Sequence, residues 1–143
     1  MIDASQMIPL LLHACPSISD KWQEHLEYWD GAEAGLYNDV AVFAHHIVEL
    51  YKQGKTDEFP AIFNQIEQFI LNGTEEIKSY AIIGFLEDVQ NIASHESFGY
   101  DVFVDWLPPA SKQAWDELIA YWAGKESLAD LVRWEIQQKQ KKE

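Results

Sequence analysis

The chain has 143 residues, nearly half of them apolar and a quarter charged, which excludes intrinsic disorder and suits one domain. Twenty-four acidic against ten basic residues leave a net charge of −14, which argues against nucleic acid and anionic membranes as partners. A single cysteine, Cys15, excludes an internal disulfide framework and suits a reducing compartment.

Helical periodicity runs through most of the chain. Met7, Leu10, Leu11 and Ala14 form a first short stripe, in which Pro9 is tolerated only near a helix start. Cys15-Pro16-Ser17 stops it. Asp20 opens a second helix with Trp22, Leu26 and Trp29 inward and Asp20, Glu24 and Glu27 outward, and Gly31 and Gly35 mark the following loop. Val40, Phe43, Ala44, Ile47, Val48 and Tyr51 repeat at helical spacing until Gly54. Thr56 or Asp57 caps the next helix, with Pro60 in its first turn and Phe59, Ile62, Phe63, Ile66 and Phe69 or Ile70 along its buried side. Asn72-Gly73 ends it.

Thr74 caps a further helix whose first turn holds Glu75 and Glu76, the sign that a helix N-terminus favours. Ile77 to Leu86 is apolar nearly all round, which marks this helix as central. Gly84 in its middle implies a close approach by a neighbouring helix. Residues 94–99 read as a loop. Tyr100 to Leu107 fits either a strand or an irregular segment, and Pro108-Pro109 breaks the chain. Ser111 caps a helix with Trp115, Leu118, Ile119 and Trp122 inward, ending at Gly124. Ser127 with Asp130 opens a last helix, and its basic end at 137–143 reads as fraying.

The expected fold is therefore all-α, with about seven helices in a single domain spanning 1–143. The connections between 37–53, 57–72 and 74–93 are short enough for antiparallel neighbours. An antiparallel αα-hairpin stack in HEAT-like style leads, and an irregular helical bundle is the alternative. No basic leader precedes an apolar stretch, and no apolar run approaches the roughly 20 residues of a membrane span, so a cytoplasmic location is expected.

No assembled catalytic motif is visible. His45 and His46 lie mid-helix without a His-Glu-x-x-His pattern, and His45 with Glu49 has the spacing of a surface pair. His13, His25 and His95 are scattered, so neither metal nor cofactor is expected. Cys15 sits in an acidic chain before a proline and reads as small core filler. No Gly-x-Ser-x-Gly elbow or Gly-rich phosphate loop occurs.

Three constellations remain. Asp88 continues the line of Ile77, Ala81 and Gly84, and Asn91 and His95 extend it. That line predicts a buried polar network anchoring the 94–99 loop, with a catalytic use of the three as the competing reading. Asp20, Glu24, Glu27, Asp30 and Glu33 form an acidic face. Asp101 and Asp105 interleave with Tyr100, Phe103 and Trp106, as interface anchors with a polar rim would. Glu24, Glu27, Asp30, Asp101, Asp105 and Trp106 are the candidate contact residues.

Phe63-Asn64-Gln65-Ile66-Glu67 and Gly84-Phe85-Leu86-Glu87-Asp88-Val89-Gln90-Asn91 resemble segments of a group of small uncharacterised bacterial all-helical proteins. Asp105-Trp106-Leu107-Pro108 and Ala114-Trp115-Asp116-Glu117-Leu118 follow the same pattern, and the resemblance spans Pro9 to Trp122. None of these motifs carries a known role, so no functional residue transfers. In size, acidity and helical make-up the chain also resembles acidic immunity proteins of bacterial polymorphic toxin systems. That resemblance implies a non-enzymatic inhibitor that binds a basic toxin domain. A HEAT-like adaptor for a cytosolic protein is the alternative.

Overall fold

The computed structural model describes residues 1–124, and the Ser127–Asp130 cap and the basic end at 137–143 lie outside that range. The described part is all-α. The helices are α1 (Ala4–Ala14), α2 (Ser19–Trp29), α3 (Leu36–Lys52), α4 (Phe59–Asn72), α5 (Glu75–Ser79), α6 (Asp88–Ser94) and α7 (109–124). A π-helical segment, Tyr80–Glu87, joins α5 to α6 without a break, and short 3-10 turns occupy Pro16–Ile18 and Asp101–Trp106.

Local chemistry sets the helix ends. Asp3 and Gln6 close a capping box on α1, with Ser5 N–H donating to Asp3 Oδ1 and Asp3 N–H to Gln6 Oε1, each at 3.0 Å. Thr74 Oγ1 accepts from Ile77 N–H at the start of α5, as its position predicts. Ser111 does not cap α7. The helix begins at residue 109, and Ser111 lies buried in its first turn.

The long helix α3 packs chiefly against the π segment and α6, with α2 alongside, while α1 and α5 pack beside α4. These partners follow the irregular bundle rather than a regular stack of hairpins. The core is one continuous cluster that includes Phe43, Phe59, Phe63, Phe69, Phe85, Phe103 and Trp115, all fully buried.

The π segment changes which residues that core receives. Its wider turns delay the helix relative to α-helical spacing. Ile77, Ala81 and Gly84 are buried as the sequence predicts, but beyond them the buried line passes through Val89 and Ala93, with Gln90 beside it. Asp88, Asn91 and His95 fall off that line. Asp88 is half-buried and Asn91 and His95 are exposed, which corrects the expected buried network.

The 101–106 segment resolves as a 3-10 helix, not a strand. With three residues per turn, Tyr100, Phe103 and Trp106 stack on one side. Tyr100 meets Trp115 at 6.1 Å, Phe103 meets Tyr51 at 5.3 Å, and Trp106 meets Phe59 at 4.9 Å between ring centroids. Asp101 and Asp105 point the other way and are exposed.

Two buried polar side chains hold α7 in place. Glu67, on α4, accepts from Ala110 N–H at 3.0 Å, Ser111 N–H at 2.8 Å and Ser111 Oγ–H at 2.7 Å. A carboxylate from another helix thus satisfies the free N–H groups at the start of α7. Gln90 Nε2 donates to the Trp115 carbonyl at 3.1 Å.

Candidate functional site

Helix α2 is the exception in this bundle, because none of its residues is buried. The sequence places Trp22, Leu26 and Trp29 inward. Instead Trp22 and Trp29 are half-buried and Leu26 is 47 % exposed. Trp22 touches Phe43 of α3 at 5.8 Å between ring centroids and His25 at 5.2 Å, and His25 meets Trp29 at 6.4 Å. This aromatic row forms one wall of a surface cavity of about 540 Å³. The 30–35 loop, the start of α3 and Ala4 and Ser5 at the start of α1 complete the lining, with Leu36, Glu33 and Asp39 among these residues.

His25 Nε2 lies 2.8 Å from Asp39 Oδ1, so one polar contact fastens α2 to α3 within that cavity. The α2 C-terminus has an unusual end. Asp30 adopts a left-handed conformation at φ 45°, with its N–H bonded to the Leu26 and Glu27 carbonyls. Both this backbone region and a negative charge at a helix C-terminus cost stability for aspartate.

The six candidate contact residues do not converge. Glu24, Glu27 and Asp30 are exposed on α2, whose C-terminal half adjoins the start of α3 through His25 and Asp39. Trp106 adjoins Tyr51, twelve positions beyond Asp39 along α3, and twelve residues of helix span about 18 Å. Asp101, Asp105 and Trp106 therefore belong to the opposite end of α3. Trp106 is half-buried against Phe59 and Tyr51, and it plugs the core rather than standing out as an anchor.

His46, not His45, is the histidine of interest on α3. His45 is exposed, and Glu49 accepts from Gln53 Nε2 at 3.0 Å instead of pairing with it. His46 is 5 % exposed, with Nε2 2.8 Å from Ser17 Oγ and Nδ1 without a partner. An orphan acceptor costs less than an orphan N–H, so the proton sits on Nε2 and is donated to Ser17. In that tautomer Nε2 cannot take the Ser17 proton. Ser17 N–H is held by Glu58 Oε1 at 2.9 Å, so the cluster ties the start of α2 to α3 and α4. Burial, then the charge of Glu58, push the neighbouring Cys15 thiol up to about 11, which agrees with its reading as core filler.

Asp88, Asn91 and His95 make no site of their own. Asn91 lines a separate cavity of about 350 Å³ with Glu87, Gln90 and Tyr100, while Asp88 and His95 are not part of its lining. Burial, ahead of a favourable His45 and an unfavourable Glu87, raises the Asp88 carboxyl above its ordinary value. Among the described residues, no three His, Cys, Asp or Glu side chains are placed to hold a metal ion, and no helix is long and apolar enough to cross a membrane.

The segments that carry the family resemblance meet in space, since Glu67 holds the start of α7 and Gln90 holds Trp115. No curated protein and no solved structure matches the chain. A family model described as a domain of unknown function, DUF7674, matches residues 8–123. That match runs from α1 to the last described turn of α7, and the chain belongs to the DUF7674 family.

Proposed function

We propose that the chain is a protein-binding module that acts as an immunity-type inhibitor, covering a basic toxin domain with its acidic α2 end. The observation that carries this reading is α2 itself, an entire helix without a buried residue, set with exposed Glu24, Glu27 and Asp30. A helix kept at the surface with two half-open tryptophans has apolar area to offer a partner. Between residues 19 and 39 there are six carboxylates and one lysine. Among the described residues, Asp20, Glu24, Glu27, Asp30 and Glu33 form no ion pair. Their field outweighs that of Lys21, and it accelerates encounter with a cationic surface while repelling acidic ones.

Co-expression with an adjacent toxin-like gene tests the reading. The wild-type chain is expected to restore growth and to co-purify with the toxin domain. Toxicity that persists in its presence overturns it. Recovery of a housekeeping protein as the specific partner instead supports the adaptor alternative, which uses the same surface.

A further inference from the structure

The cavity between α2 and α3 has a shape that says more about its occupant. Trp22, Leu26 and Trp29 lie at i, i+4 and i+7 on α2, so they form one stripe about 10 Å long, close to two helical turns. The stripe runs beside α3 and stays open to solvent at Leu26. A groove of this length between two helices receives a third helix by interleaving its side chains at the same spacing.

Charge selects among helices. Glu33 and Asp39 are the two carboxylates that line the cavity, across from the stripe. Asp39 Oδ2 has no partner among the described residues, since His25 contacts Oδ1. An acidic wall facing an apolar one matches a helix whose apolar face is bordered by lysine or arginine. A second copy of this chain is a poor match, because each copy carries −14.

We infer that the α2–α3 groove is the docking site for a basic amphipathic helix of the partner, whose apolar side chains enter between Trp22, Leu26 and Trp29. This rests on the protein-binding reading and adds the chemistry of the bound segment. A large apolar side chain in the groove buries Leu26, and Glu33 and Asp39 meet the flanking cations.

The test uses the full chain and a fluorescein-labelled leucine–lysine peptide of about 14 residues with helical spacing. A scrambled peptide of the same composition and a leucine–glutamate counterpart serve as controls. Fluorescence anisotropy is expected to show the amphipathic lysine peptide binding at least ten-fold more tightly than the scrambled one, with none for the glutamate peptide. Leu26→Ala and, separately, Glu33→Lys are expected to weaken binding five-fold or more at unchanged far-UV circular dichroism and Tm. Equal binding of the ordered and scrambled lysine peptides, or wild-type affinity in both variants, overturns the groove assignment. Both variants alter exposed residues, so loss of fold in one leaves the other decisive. If wild-type chain and both variants rescue growth equally, the groove is wrong while the inhibitor reading stands. If the wild type binds the peptide as described but rescues nothing, the inhibitor reading fails and the groove stands.

Discussion

His46 carries its imidazole in the core, and burial holds its pKa below the ordinary value against the opposing influence of Glu58; Lys21 adds to the shift and Glu49 opposes it. The unfolded chain then binds a proton more readily than the folded one, so stability is full above the ordinary histidine value and declines as pH falls below about 6.5. His46→Gln removes that dependence, because the amide still reaches Ser17 without titrating. Thermal unfolding between pH 7 and pH 5 is expected to show a smaller loss of Tm in the variant than in the wild type. A parallel loss in both contradicts the assignment. Asp88 has the opposite sign. Its raised carboxyl pKa means that ionisation costs stability as pH rises through the folded value. Asp88→Asn is expected to melt above the wild type at pH 7 and to converge with it near pH 3. A lower Tm at pH 7 would falsify the view that no hydrogen-bonded network holds this carboxylate.

Helix by helix, the periodic elements were legible and the irregular ones were not. α3, α4 and the start of α5 follow from apolar spacing and from Thr74, because burial on one face leaves a period that sequence displays. α2 was legible as a helix but not as an exposed one. Trp22, Leu26 and Trp29 have a core helix's spacing, and only their neighbours in space decide how far they are covered. The π segment leaves no local signature, yet it moves the buried line from Asp88 to Val89. In the same way, Glu67 lies 43 and 44 positions from the groups it satisfies. Ser17 lies 29 from His46.

These elements make definite predictions. Glu67→Gln leaves N–H groups of α7 poorly paired, and urea unfolding is expected to show a loss of roughly 1–3 kcal/mol. Phe103→Ala empties the inward line of the 3-10 helix at a cost of about 3–5 kcal/mol, whereas Asp105→Asn on its outer side changes stability little. Gly73, between α4 and α5, and Gly84, within the π segment, differ. A Cβ at Gly73 would overlap the Phe69 carbonyl oxygen and crowd Ile77, so Gly73→Ala is expected to lose about 1–3 kcal/mol. At Gly84 the same atom would lie 3.4 Å from Tyr37 Cδ1 and 3.5 Å from Val40 Cγ1, an ordinary contact. The neighbouring helix is therefore not so close that only glycine fits, and Gly84→Ala is expected to hold or raise Tm.

Across the described molecule, the candidate contact acids divide between the two ends of α3, and those of the α2 end lie on the helix that walls the Trp22–Trp29 groove. That division makes the central claim separable from general acidity. The most direct measurement is the stopped-flow association rate of the leucine–lysine peptide with two charge-neutralised chains. One carries Glu24→Gln, Glu27→Gln and Asp30→Asn. The other carries Asp101→Asn and Asp105→Asn. If the α2 end recruits a basic partner, the first chain associates several-fold more slowly at low salt, the second stays near the wild-type rate, and the difference fades at about 0.5 M salt. Wild-type association by the first chain, or an equal slowing of both, contradicts the account.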